Sequence, residues 1–213
     1  MNVRVQISKA DIDGLAKELK KMGKIVTSSN LQLYRAKKYR DYTVKMLSQG
    51  GLDLKPITEA TAKIQGGSHN PEYNLGTLAK KMGVRPVGNN AAEAGYFGKD
   101  EKIPGKADYM TWTKAAILAH TGYRIPASEK LGGELGKKGA KVRAWLREEH
   151  GIYLKETTHW LHVEARPFIL ISYLQYMLTG EDIKATDQYI DKMMASPMSD
   201  PNKADPLKML GAI

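Results

Sequence analysis

Apolar and polar positions alternate at the start of the chain. Val3, Val5 and Ile7 lie between Asn2, Arg4 and Gln6, which predicts a short half-buried strand. The period then changes. Ile12, Leu15, Ala16, Leu19 and Met22 recur at helical spacing, with Ser8 placed to cap the helix, Asp11 in its first turn and Gly23 to end it. Ser28-Ser29-Asn30 opens a second helix. Leu33, Ala36, Arg40, Val44 and Leu47 lie on one side of it, and Gly50-Gly51 stops it.

The middle of the chain is less regular. Gly66-Gly67-Ser68 and Asn70-Pro71 are loop chemistry, and Thr77 to Met82 suits a helical turn. Val84 and Val87 precede Gly88-Asn89-Asn90, and Ala94 to Gly98 reads as a strand, so residues 82–98 predict a hairpin. Lys99 to Lys106, with Pro104-Gly105, reads as a loop. Asp108 starts a helix through His120, with Trp112, Ala115, Ala116 and Ala119 as its stripe. Gly132, Gly133, Gly136 and Gly139, among Lys130, Lys137, Lys138 and Lys141, predict a mobile or extended segment over 127–141. Arg143 to His150 is then a short helix, and Ile152 to Leu154 and Thr158 to Glu164 are strands. Pro167 suits the first turn of a helix over Phe168 to Leu178, which is apolar nearly all round and so predicts a central buried helix ended by Gly180. Glu181 to Met194 is a last helix, with Ile183, Tyr189, Ile190 and Met193 apolar. Pro197, Pro201 and Pro206 then forbid regular structure, leaving an extended arm over 195–213 with an apolar tip at Leu207, Met209, Leu210 and Ile213.

The 213 residues suit a single domain over 1–194 followed by that arm. The fold class expected is α+β: a small antiparallel sheet packed against helices, with a basic helical N-terminal part over 1–50. The chain has no cysteine, which excludes a disulfide framework, a zinc ribbon and a thiol nucleophile. No apolar run approaches the about 20 residues of a membrane span, and residues 1–20 do not read as a secretory leader. No membrane association is expected.

The net charge of +10 is unevenly spread: residues 1–50 hold eleven basic residues against four acidic ones. Residues 181–213 are mildly acidic. A basic face attracts nucleic acid, anionic lipid or an acidic protein surface, or it serves only as a solvated face. Pairing of the acidic end with a neighbour's basic end is a further possibility. Tyr34, Tyr39 and Tyr42 interleave with Arg35, Lys37, Lys38, Arg40 and Lys45, a pattern able to grip phosphate and stack bases, although Tyr39 and Tyr42 could equally pack on the fold. Residues 17–45 therefore carry a nucleic-acid-binding alternative.

Catalytic patterns are weak. There is no phosphate loop, and Gly132-Gly133-x-x-Gly136 follows no expected strand. His159 and His162 would point to opposite faces of a strand and could not share a metal, which disfavours a metal hydrolase. His120 suits a helix C-terminus. Glu148, Glu149, Glu156 and Glu164 form no acid–base pair, and Ser128 and Ser172 have no motif around them. No enzyme activity, cofactor or metal is expected.

The order of motifs carries a resemblance. Leu75-Gly76-Thr77-Leu78 leads to a strand pair ending in Ala94-Gly95-Tyr96-Phe97-Gly98. A helix then closes in Ala119-His120-Thr121-Gly122 and is followed by Arg124-Ile125-Pro126. After a basic loop come Gly151-Ile152-Tyr153-Leu154 and Val163-Glu164-Ala165-Arg166-Pro167-Phe168. Over residues 74–178 this series resembles the virion-morphogenesis and tail-completion proteins of tailed bacteriophages. The family commonly has Thr-Gly-x-Leu where this chain has Leu75-Gly76-Thr77-Leu78. The resemblance implies an α+β neck protein of the virion, assembled in the bacterial host cytoplasm, that completes the tail and joins it to the head. The implied partners are copies of itself in a ring, with six favoured, and portal, head-closure, tail-terminator or tail-tube proteins, with possible contact to packaged DNA. His120, Gly122, Arg166, Pro167 and Phe168 would form the structural turn, with Arg166 paired to a carboxylate or to carbonyls and Phe168 in the core. Lys37, Lys38, Arg40, Lys137, Lys138 and the apolar tip are candidate assembly contacts.

Overall fold

The computed structural model describes residues 9–52, 54, 72–88, 90–97, 102–103 and 110–195. These form an α+β fold with seven α-helices and two antiparallel two-stranded sheets among the described residues. The elements are α1 (Lys9–Val26), α2 (Ser29–Ser48), α3 (Glu72–Lys80), β1 (Gly83–Val87), β2 (Ala91–Gly95), α4 (Trp112–Thr121), β3 (Tyr123–Pro126), a 3-10 turn (Glu129–Leu131), α5 (Gly133–His150), β4 (Trp160–Val163), α6 (Phe168–Leu178) and α7 (Glu181–Ala195). The chain divides into two compact units that interleave in sequence. One comprises Met1–Asp41, Gly83–Gly95 and Gln175–Ile213, and the other Tyr42–Met82 and Tyr96–Leu174. The expected strand over residues 2–7 and the arm with Leu207, Met209, Leu210 and Ile213 lie outside the described residues.

In the first unit, Ser28 joins two helices. Its hydroxyl donates to Ile25 O at 2.8 Å and accepts from Leu31 N at 3.2 Å, so one side chain closes α1 and caps α2. Ile25, Leu31 and Tyr34 then pack on Ala185, Tyr189 and Met193 of α7 as a buried cluster. Tyr34 meets Tyr189 at 5.3 Å between ring centroids, and Tyr39 meets Tyr176 at 5.7 Å. The Arg35 guanidinium grips both oxygens of Asp182, at 2.9 and 2.5 Å, and holds α2 against α7. The buried residues of α2 are Leu31, Tyr34, Tyr39, Thr43 and Leu47, so of the expected stripe of Leu33, Ala36, Arg40, Val44 and Leu47 only Leu47 is among them. Gly23 does not end α1. Burial of Ile25 keeps the last turn helical through Val26. The hairpin of β1 and β2 pairs Gly83 with Gly95 and Val87 with Ala91, turning at Gly88 with φ of 64°. Its second strand starts and ends three residues earlier than the sequence suggests.

In the second unit, Leu75, Leu78 and Ala79 of α3 and Met82 just beyond it are buried, with Ala116, Ala127, Leu146 and Phe168. Thr43 and Ser172 are fully buried and satisfy each other. Thr43 Oγ1 donates to Ser172 Oγ at 3.0 Å, and Ser172 Oγ donates to Ile169 O at 3.1 Å. Thr111, not Asp108, caps α4, accepting from Lys114 N at 3.2 Å. β3 pairs with β4, Tyr123 opposite Val163 and Ile125 opposite Leu161.

Three expectations fail here. The segment over 127–141 is not extended: it forms the 3-10 turn and the first half of α5. Ile152–Leu154 forms no strand, because Leu154 O is taken by Arg143 at 2.9 Å instead of by a neighbouring strand. Nor is α6 buried all round. Phe168, Ser172 and Tyr176 are its buried stripe, while Leu170, Tyr173, Leu174, Met177 and Leu178 are exposed.

Candidate functional site

Two of the segments that carry the sequence resemblance, Ala119–Gly122 and Val163–Phe168, meet where α4 ends. Gly122 has φ of 70°, a conformation that favours glycine, and its N–H donates to Leu118 O. A Cβ there would lie under 3.0 Å from Val163 O and Ala165 N. The same close approach lets Arg166 N donate to Ala119 O at 2.7 Å, and Phe168 N donate to Arg166 O at 2.7 Å. Pro167 leaves its missing N–H just ahead of α6, and Pro167 O accepts from Ile171 N at 3.0 Å. Phe168 is fully buried, as expected.

Arg166 acts differently from expectation. Its backbone makes the turn, whereas its side-chain Nε is buried with no hydrogen-bond partner among the described residues. At Nε the anticipated pairing with a carboxylate or with carbonyls is not formed among the described residues. His120, in the last turn of α4, likewise buries an unpartnered Nδ1. Burial raises the Tyr123 phenol above its ordinary range, and the Arg166 charge beside it lowers it part of the way back. The junction thus gathers His120, Gly122, Tyr123 and Arg166 at one edge of the β3–β4 pair.

A second feature was hidden in the glycine-rich segment. Gly136 and Gly139 are buried on α5, and a Cβ on either would lie under 3.0 Å from the backbone of Glu129 or Ser128. They form a notch that seats the 3-10 turn, whose first N–H groups are met by Ser128 Oγ accepting from Lys130 N at 3.2 Å. Arg143, one turn further on, donates to four carbonyls: Ala127 at 3.0 Å, Leu154 at 2.9 Å, Lys155 at 3.2 Å and Thr158 at 2.8 Å. It staples α5 to the segments on either side. The signal for the notch was present as glycines three apart. No sequence signal marked Arg143, because its acceptors are main-chain carbonyls up to sixteen residues away.

Beside the staple, an open cleft of about 410 Å³ is lined by Ser128, Glu129, Lys130, Arg143, Arg147 and Glu156, among others. Three of its polar side chains are already engaged. Ser128 caps, Arg143 is held by four carbonyls, and Arg147 pairs with Glu148 at 3.2 Å. Lys137 and Lys138 are exposed on α5, and Lys137 pairs with Glu134 at 3.2 Å.

On α2, Tyr34 and Tyr39 are buried and offer no stacking platform. Lys38 Nζ lies 5.4 Å from the Tyr34 ring centroid, and Arg40 pairs with Asp41 at 2.7 Å. Lys37 is half-buried on the same helix. His162 on β4 and His159 just before it are exposed, and His150 packs edge-on to Trp145 at 4.5 Å. Among the described residues no group of three or more histidines and carboxylates is arranged to hold a metal ion. No helix among them is long and apolar enough to cross a membrane. No family model, no curated protein and no solved structure gives a significant match to this chain.

Proposed function

We propose that the chain is a non-catalytic structural component of a tailed-phage neck, completing the tail and joining it to the head. The observation that carries this reading is the junction at Gly122. Ala119–Gly122 and Val163–Phe168, a middle and the last motif of the series, are distant in sequence and adjacent in the fold, tied by the bond from Arg166 N to Ala119 O. That adjacency is what a resemblance with structural meaning requires. The exposed apolar side chains of α6 add support, since contiguous apolar surface marks contacts with other chains. In this reading the chain forms a ring with copies of itself, six being favoured, and contacts portal, head-closure, tail-terminator or tail-tube proteins. Its place is the virion, after assembly in the host cytoplasm, and its basic residues face acidic protein surfaces or packaged DNA.

Removing the gene from the producing phage tests this. The expected result is filled heads and tails that stay separate in the electron microscope, restored by the gene supplied in trans. Normal yields of joined, infectious particles would contradict it.

A further inference from the structure

We infer that α1 is one half of an antiparallel two-helix pair, completed by α1 of a second copy of this chain. Ile12, Leu15, Leu19, Met22 and Val26 are 55, 62, 58, 40 and 45% exposed. Their spacing alternates three and four residues, the seam of a coiled coil. Residues 12–20 are exposed on every side, and among the described residues only the last turns of α1 touch the fold, through Ile25 in the core and Lys21 Nζ donating to Met194 O at 2.9 Å. An isolated helix of this length is marginal in water, and its apolar seam would lie open. A helical partner supplies what the fold does not.

Charge decides the orientation. The first eight residues of α1 hold two aspartates and one lysine, and the remainder holds Lys17, Lys20, Lys21 and Lys24 against Glu18. Parallel pairing sets the two lysine-rich ends side by side. Antiparallel pairing about Leu19 sets the Asp13 end of each helix against the Lys24 end of the other and opposes the helix dipoles. In that register Ile12 lies opposite Val26 of the second copy and Leu19 opposite Leu19, with Leu15 and Met22 one residue out of level with each other in the layer between. The narrow seam favours a helix over a lipid surface, which takes a wider apolar face with aromatic anchors. The inference does not rest on the neck reading. A two-fold pair closes on itself, so it uses a surface distinct from the head-to-tail contact of a ring.

The chain has no cysteine, so single cysteines report the geometry in the full-length protein. Under mild oxidation Leu19→Cys is expected to form a disulfide-linked dimer. Ile12→Cys alone and Val26→Cys alone are expected to stay unlinked, and a mixture of the two to link. Leu19→Glu is expected to weaken the wild-type dimer, measured by sedimentation, by about a hundredfold or more, since it buries a charge in the seam. A wild-type chain that is monomeric at tens of micromolar would overturn the inference. So would self-linking of Ile12→Cys as efficient as that of Leu19→Cys. A monomer that binds phosphatidylglycerol vesicles, and loses that binding in Leu19→Glu, would overturn it in favour of a membrane surface.

Discussion

Gly139 and Gly14 are both helical glycines, yet alanine at each has opposite consequences. A Cβ at Gly139 meets the Ser128 backbone, which cannot rotate away, whereas Gly14 has nothing within 4 Å of that position. Gly139→Ala is expected to lower stability by about 1–3 kcal/mol through overpacking. Gly14→Ala is expected to raise it by about 0.5–1 kcal/mol by removing backbone freedom from the unfolded chain. Urea denaturation of both variants reads the two signs. Glycine count alone argues for a loop over 127–141. Only the three-residue spacing of Gly136 and Gly139 points to a packed helix face. The buried Tyr176 and Tyr189, with the more exposed Tyr123, make a further residue-scale prediction. Burial, with smaller contributions from neighbouring charges at Tyr176, holds the Tyr123, Tyr176 and Tyr189 phenols above their ordinary range, and the Ser28 hydroxyl partly offsets this at Tyr189. The folded state therefore keeps protons that the unfolded chain releases. This contribution is whole below about pH 10 and is lost as pH rises beyond it. Melting temperature should fall over that alkaline range, and Tyr189→Phe should fall less steeply than the wild type.

At the scale of elements, the packing of α5 rests on Arg143 as well as on the glycine notch. Arg143→Met keeps the aliphatic stem but leaves the carbonyls of Ala127, Leu154 and Thr158 without their donor. A loss of about 2–3 kcal/mol is expected, and Arg143→Lys should recover little of it, because one ammonium cannot span the acceptors that a guanidinium fork reaches. Thermal melts of the two variants, each compared with the wild type, measure both. Helix ends marked by local chemistry were legible in sequence: Ser28 before α2, Gly122 after α4, Gly151 after α5 and Gly180 after α6 all stand at boundaries. What was not legible depended on distant partners. Whether Tyr34 and Tyr39 stack on bases or pack on the fold was open in the sequence, because they sit among lysines, and their burial is set by Tyr189 and Tyr176, more than 130 residues away. The composition of α6 suggests full burial, but the fold covers only its Phe168, Ser172 and Tyr176 stripe.

For the whole molecule, the α+β class was legible because caps and periodicity act locally. The interleaving of the two units was not, since it depends on which distant helices pair. The turn residues Gly122, Pro167 and Phe168 stand where the sequence suggests, and the part assigned to the Arg166 side chain is played by its main chain. The chain's positive charge bears on the choice between protein and nucleic-acid partners, because phosphate contacts weaken steeply with salt and apolar protein contacts do not. With Tyr34 and Tyr39 buried, DNA binding through residues 17–45 would rest largely on phosphate contacts and would be correspondingly salt-sensitive. The direct measurement is a pull-down of the tagged full-length chain from phage-producing cells, washed at low and then high salt. Bound protein is read by mass spectrometry and bound nucleic acid by absorbance. The neck reading predicts portal, head-closure or tail proteins retained through the high-salt wash. Recovery of DNA alone, lost at high salt, would contradict it.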